Sequence, residues 1–214
     1  MRAIIFANGV LKNWPAALQA DPETDLLIAA DGGLSHCLHF NIRPHIVVGD
    51  MDSVDEQKLP QLEEQGVEIL RFPARKDQTD LELAVHAALK RNVRQIYILG
   101  ALGRRWDMTL ANVFLLAMPA LENTAVTIVE DHQELFCLHG AASVEIHGKP
   151  GDRVSLLPMV QDAAGVTLDG FEYPLNAETL AVGSARGVSN VLLKSSAAVS
   201  LSRGHLLVIV SRSG

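Results

Sequence analysis

The chain has 214 residues, 48% hydrophobic and 20% charged, which is enough to bury a core as one large domain or two small ones. Its net charge of −7 argues against a basic nucleic-acid-binding face, and no run of eighteen apolar residues occurs, so neither nucleic acid nor a membrane is an expected partner. The two cysteines, Cys37 and Cys137, lie far apart and outside any CxxC pair, which suits a reduced, cytoplasmic protein.

The first residues lack the tripartite form of a signal peptide and read as a strand, residues 2–7, ending at Asn8-Gly9. A helix is expected over 14–20. A second buried strand, 26–30, runs into Asp31-Gly32-Gly33 and a helix-like stretch from Leu34 to Phe40. A glycine pair at such a junction lets the backbone approach a ligand, and a helix start favours anions; a plain tight turn explains it equally well.

The third strand, 46–48, ends in Gly49-Asp50-Met51-Asp52-Ser53, and a fourth, 67–72, precedes Lys76-Asp77-Gln78-Thr79-Asp80. Ser53 with Glu56, and Thr79 with Glu82, have the capping-box spacing, and Leu81, Ala84, Val85 and Ala88 then recur at helical intervals. Capping does not account for Asp50, Asp52, Asp77 and Asp80 together. Carboxylates this dense at strand exits repel one another unless a cation neutralises them, and Mg²⁺ takes one or two carboxylates with waters and phosphate oxygens. The residues themselves therefore point to a metal–nucleotide site.

A fifth strand, 95–99, leads into a loop from Gly100 to Asp107 that is rich in glycine but is not a P-loop, because no Gly-Lys-Ser/Thr follows. Arg104 and Arg105 beside glycines suit polyphosphate. A helix over 107–118 and a sixth strand over 126–129 complete a strand–helix alternation. That alternation predicts a parallel sheet with helices on both faces and ligands at the carboxyl ends of its strands, where all these loops lie. From about 133 the pattern changes to short strands at 143–147, 152–157, 164–168, 178–182, 190–194, 197–201 and 205–210, with 133–138 a strand of either part. The expected division is an α/β domain over 1–132 and a β-sandwich-like domain over 133–214. Eight histidines are scattered without metal-ligand spacing and read as structural or exposed.

Taken together and in order, these stretches resemble the thiamin pyrophosphokinase family over nearly the whole chain, with Gly170-Phe171-Glu172-Tyr173-Pro174-Leu175 and Gly187-Val188-Ser189-Asn190 as further matches. The resemblance implies a Rossmann-like N-terminal domain, and transfer of the pyrophosphoryl group of ATP to the hydroxyl of thiamin, giving thiamin diphosphate and AMP. It also implies Mg²⁺ and a homodimer with thiamin near the interface. By the same correspondence Asp50, Asp52, Asp77 and Asp80 form the metal and phosphate centre, and Asp31, Gly32, Gly33, Arg105 and Asp107 hold ATP. Gln78, Thr79, Ser189 and Asn190 are then candidates for thiamin, with Asp52, Asp77 and Asp80 the catalytic candidates and either Asp77 or Asp80 the proton acceptor.

The chain departs from the family where Arg104 replaces a glycine, where Met108 replaces a histidine, and where Asp131-His132-Gln133-Glu134 follows the sixth strand in place of an asparagine. Three other readings fit parts of the pattern: a pyrophosphokinase for a pterin-like alcohol, a nucleotide-sugar transferase using Asp50-Met51-Asp52, and a regulator that binds thiamin or nucleotide without catalysis.

Overall fold

A computed structural model describes residues 1–15, 18–55 and 57–213, which form two compact units. The first comprises Met1–Leu115 and Asn123–Asp131; the second comprises Leu116–Glu122 and His132–Gly214.

The first unit is built on six parallel strands: β1 (Arg2–Phe6), β2 (Asp25–Ala30), β3 (Ile46–Gly49), β4 (Glu68–Arg71), β5 (Gln95–Leu99) and β6 (Ala125–Glu130). They lie side by side in the order β4-β3-β2-β1-β5-β6. The chain winds outward from β1 to β4, then returns to the other side of β1. The order therefore reverses between β1 and β5, and the loops leaving the carboxyl ends of those two strands diverge to open a crevice. Ile4, Phe6, Leu27, Ala29, Val47 and Leu99 join one buried cluster, which is why these strands read as nearly continuous apolar runs.

Among the described residues, four α-helices connect the strands: α1 (Leu34–His39), α2 (Leu59–Glu64), α3 (Asp80–Leu89) and α4 (Trp106–Leu115). The cap expected at Thr79 forms, its Oγ1 accepting from the Glu82 amide at 3.2 Å. The other expected capping box falls on Glu56, which lies outside the described residues. Ser53 Oγ donates to Asp52 Oδ1 at 2.9 Å, and α2 begins at Leu59. No helix occurs among the described residues of 14–20; Ala16 and Ala17 lie outside them. Pro15 disfavours helical backbone at Trp14. The indole instead packs on Phe6 and Phe40, with ring centroids 5.9 and 5.7 Å away.

One ion pair pins the start of this sheet. Asp25 is buried and accepts from Arg2 Nε at 2.8 Å, from Arg2 Nη2, and from the Asp21 amide at 2.9 Å. Burial pushes this carboxyl up, but the bonds from Arg2 and Asp21 outweigh it and hold it below its usual value. A carboxyl lowered by folding contributes stability above its unfolded value, near 3.9, and the contribution is lost as pH falls through the native value. Arg2→Met leaves Asp25 buried without its cation. It is expected to cost about 3 kcal/mol in urea denaturation at pH 7, the low end for a broken buried pair because Arg2 is partly exposed, and the deficit should shrink as pH approaches 3.

The second unit contains two antiparallel sheets. One runs β12 (Asn190–Val191), β9 (Arg153–Pro158), β14 (His205–Ser211), β7 (Gln133–His139); the other runs β11 (Leu175–Leu180), β10 (Ala163–Asp169), β13 (Ser196–Leu201), β8 (Ala142–His147). A single apolar cluster draws alternate residues from both: Val154 and Leu156, then Leu206, Val208 and Val210, against Val166 and Leu168, then Ala197, Val199 and Leu201. The expected strand over 178–182 forms three residues earlier. The strand over 190–194 is only two residues long, because Leu192 turns aside to bridge Phe171. Residues 133–139 pair with β14 along their whole length, a longer strand than the apolar run suggested.

Candidate active site

A cleft of about 290 Å³ opens where the strand order reverses. Its walls are Ala7-Asn8-Gly9 after β1, Ala30 and Asp31 after β2, Ala101 and Gly103 to Arg105 after β5, Asp80 and Leu81 at the start of α3, and Met108 and Asn112 of α4. The loops are held close by backbone contacts. The Gly9 amide donates to the Gly100 carbonyl at 2.6 Å and Val10 to Leu102 at 2.9 Å. His36 Nε2 lies 3.1 Å from the Gly9 carbonyl; burial holds this imidazole below its usual pKa.

The glycine pair after β2 is required by packing. A methyl on Gly33 would stand 1.9 Å from the Phe6 carbonyl oxygen, and one on Gly32 would meet the Asn8 side chain at 2.4 Å. The two residues let the turn Asp31–Gly33 press against β1 and deliver Asp31 to the cleft. Asp31 sits in the left-handed region, at φ 44°, where an L-residue is uncommon outside turns and functional loops.

Asp31 is 5% exposed, and its Oδ1 is buried without a hydrogen-bond partner. Carboxylate oxygens of Asp31, Asp50 and Asp52 lie within 4.8 Å of one another. The loop after β3 explains how the other two arrive. Met51 is buried, at φ 68°, and turns the aspartates on either side of it out of the core. The Asp52 amide closes the turn onto Asp50 Oδ1 at 3.2 Å. Asp80 approaches from α3, close enough that a methyl on Gly49 would lie 2.9 Å from the Asp31 Cβ and 3.3 Å from Asp80 Oδ1. Burial, with the fields of Asp31 and Asp50, raises the Asp80 pKa despite Lys76.

Lys76 lies among these carboxylates, 3.0 Å from Asp80 Oδ1 and 3.7 Å from Asp50 Oδ2. The Asp80 contact is an ion pair without hydrogen-bond alignment, so that buried oxygen has no true donor. Burial lowers the Lys76 pKa, but the pairing with Asp80 and the charges of Asp50 and Asp31 more than offset it, and the net shift is upward.

A divalent cation fits this set. The donors are hard carboxylate oxygens, one of them a buried orphan, and the charge left after Lys76 is strongly negative.

The remaining residues named from the sequence fall in several places. Arg105 lines the cleft, and its Nε donates to Asp107 Oδ1 at 3.1 Å, which steadies the guanidinium. Asp107 is itself exposed on the first turn of α4. Asp77 and Gln78 are exposed on the loop before α3, and neither lines the cleft. The Thr79 hydroxyl oxygen is taken up in capping α3. Two cleft residues, Asn8 and Asn112, were assigned no role from the sequence; Lys76, also without a role there, lies beside Asp50 and Asp80. Asn112 is a buried amide in mid-helix that donates to the Ala101 carbonyl at 2.7 Å. A polar side chain with low helix propensity among Leu110, Ala111, Val113 and Phe114 was the available signal.

Ser189 and Asn190 belong to the second unit, beside a separate groove of about 340 Å³ formed by Glu172, Tyr173, Pro174, Arg186, Val188 and Asn190, among others. Asn190 is buried and pins the groove wall, Oδ1 accepting from the Tyr173 amide at 3.0 Å and Nδ2 donating to the Tyr173 carbonyl at 2.8 Å. Ser189 is exposed at φ 60°, its amide bonded to Ser155 Oγ at 3.0 Å. Tyr173 stands largely exposed at the groove.

The family model for the thiamin pyrophosphokinase catalytic domain matches residues 19–129, and the model for the thiamin pyrophosphokinase vitamin B1 binding domain matches residues 143–206. The chain is 33% identical to the thiamine pyrophosphokinase of Bacillus subtilis over 213 residues, 99% of each protein. The chain belongs to the thiamin pyrophosphokinase family.

Solved thiamin pyrophosphokinase structures agree with this assignment. The crystal structure of the Bacillus subtilis protein superposes with a TM-score of 0.84 over the full length of both chains at 29% identity. The Candida albicans thiamin pyrophosphokinase, at 16% identity, shares the fold with a TM-score of 0.80 over 99% of this chain and 90% of its own. Within the thiamin pyrophosphokinase framework two of the three departures named from the sequence, Arg104 and Met108, line the cleft, and Arg104 adopts a left-handed φ of 60°. The backbone there keeps a glycine-like conformation although the side chain has changed.

Proposed function

We propose that this chain is a pyrophosphotransferase that moves the pyrophosphoryl group of ATP to the hydroxyethyl oxygen of thiamin, releasing AMP and thiamin diphosphate. Family membership supports the activity. The observation that carries the mechanism is the cleft at the strand-order reversal, where a buried, unpartnered carboxylate oxygen of Asp31 lies beside Asp50 and Asp52.

Asp31, Asp50 and Asp52 would hold Mg²⁺, which would supply neutralisation of the phosphate charge. ATP lies in the cleft with its phosphates toward the starts of α3 and α4, where helix amides favour anions. Arg105, steadied by Asp107, contacts the polyphosphate. The thiamin oxygen attacks the β-phosphorus. The bond from that phosphorus to the α–β bridging oxygen breaks, and AMP leaves with the electron pair. Asp80 takes the hydroxyl proton; its raised pKa makes it a stronger base than an ordinary carboxylate, and it lies beside the phosphate centre, whereas Asp77 is exposed.

The second unit holds thiamin in the groove at Tyr173, Ser189 and Asn190. An aromatic face there suits the cationic thiazolium, and Glu172 adds a matching charge. Gln78 and Thr79 remain candidates for the acceptor through their loop. The first unit is read as Rossmann-like and the second as a β-sandwich, with a cytoplasmic homodimer as the working assembly. Among the described residues no helix is long and apolar enough to cross a membrane.

The test is acceptor choice. AMP release from MgATP should require thiamin and should not respond to a pterin alcohol. Release that is faster with the pterin alcohol would overturn the assignment of the acceptor.

A further inference from the structure

We infer that Lys76 is an exchangeable counter-cation of this site: it competes with the divalent ion for Asp50, and yields Asp50 and its ion partner Asp80 when the metal–nucleotide complex enters. The inference rests on the metal-site reading above and extends it to a residue given no role there. Its side chain is 13% exposed, with the ammonium 3.0 Å from Asp80 and 3.7 Å from Asp50. An ammonium that far out of water is costly to hold unless it faces opposite charge, and here it faces two. Neither contact is a well-aligned hydrogen bond, although the one to Asp80 is close. The Asp80 contact lacks hydrogen-bond alignment, and the Asp50 contact is too long for a hydrogen bond.

This combination, strong charge pairing without fixed geometry, suits a group that must let go. Lysine carries a compact charge on a flexible four-carbon stem, whereas an arginine would clasp the carboxylates in a planar, two-pronged arrangement. Lys76 also lies in the loop between β4 and α3, four residues before Asp80, on a flexible stem that can swing away by a change of side-chain rotamer. Once displaced, the ammonium remains beside the incoming phosphates and can neutralise them. The acidic cluster is thus neutralised in part both before and after the metal arrives.

The test is Mn²⁺ binding to the intact protein without nucleotide, read from the electron paramagnetic resonance of free Mn²⁺. Lys76→Met removes the competitor and should bind Mn²⁺ about ten-fold more tightly than wild type, while Lys76→Arg grips the carboxylates harder and should bind several-fold more weakly. Opposite signs from the two substitutions are not expected of a residue that only supports the fold. Affinities of both variants within two-fold of wild type would overturn the inference and leave the metal site standing; if only one variant folds, its sign decides. Wild type that binds no Mn²⁺, or Asp52→Asn that binds it equally well, would overturn the metal site itself.

Discussion

Asp31→Asn protein is expected to release AMP from MgATP and thiamin about 10²–10³-fold more slowly than wild type while staying folded. The magnitude is that of removing one preorganised group that stabilises charge in the transition state. Asparagine is the informative replacement because it keeps the size of the side chain and tolerates the left-handed φ of 44° at this position. The loss should appear in kcat, and Mn²⁺ affinity should fall with it. Stability should move the other way. Removing one of three carboxylates whose oxygens lie within 4.8 Å relieves repulsion, so the variant should melt no lower than wild type in the absence of divalent ions. Activity within a few-fold of wild type would mean that Asp31 is not part of the metal centre.

Gly33→Ala should have the largest effect on folding of any small substitution near the cleft. Gly33 has an ordinary helical φ, so the added methyl introduces no backbone strain. It introduces a collision, 1.9 Å from the carbonyl oxygen of Phe6, which lies at the end of β1 in the middle of the parallel sheet. Neither side can give way cheaply. Phe6 is fully buried, and the turn bearing Gly33 is continuous with β2. Overpacking of this kind costs about 1–3 kcal/mol, and a clash with backbone belongs at or above the upper end. Because the turn also delivers Asp31, ATP and metal binding should weaken beyond what lost stability explains. Gly66→Ala is the control. It places a methyl in open space at φ +84° and should cost only about 1–2 kcal/mol of backbone strain, with nucleotide binding unchanged. Equal effects from the two substitutions would contradict this account of the turn.

The parallel strands were legible because burial on both faces leaves runs such as Ile46-Val47-Val48 with no polar residue to interrupt them. The acidic loops were legible for the opposite reason: their charge has no use in capping. The pattern did not reveal which carboxylates meet. Asp31 joined Asp50 and Asp52 because β2 and β3 are neighbours in register, with Ala30 beside Val48, a pairing that no local pattern encodes. Asp77 looked equivalent to Asp80 in sequence, yet the helix start directs Asp80 toward the cluster and leaves Asp77 in solvent. Lys76 was passed over because a lysine beside acidic residues in a loop looks like an ordinary solvated charge; only the fold shows it half-buried among them. In the acidic turn the Asp52 amide and the Ser53 hydroxyl bond to neighbouring aspartates. In the second unit the short strands were mostly placed, but β11 and β12 shifted where Asn190 and Leu192 tie to the 171–173 segment, a contact between residues some twenty positions apart.

The most direct test of the central claim follows the phosphorus. With ATP labelled in the γ-phosphate, thiamin and Mg²⁺, the label should pass into thiamin diphosphate in amounts equal to the AMP formed, and both should vanish when divalent ions are chelated. Label appearing in free inorganic phosphate or thiamin monophosphate, or AMP formed equally well without thiamin or without a divalent ion, would contradict the intact transfer of a pyrophosphoryl group at this acidic, metal-holding cleft.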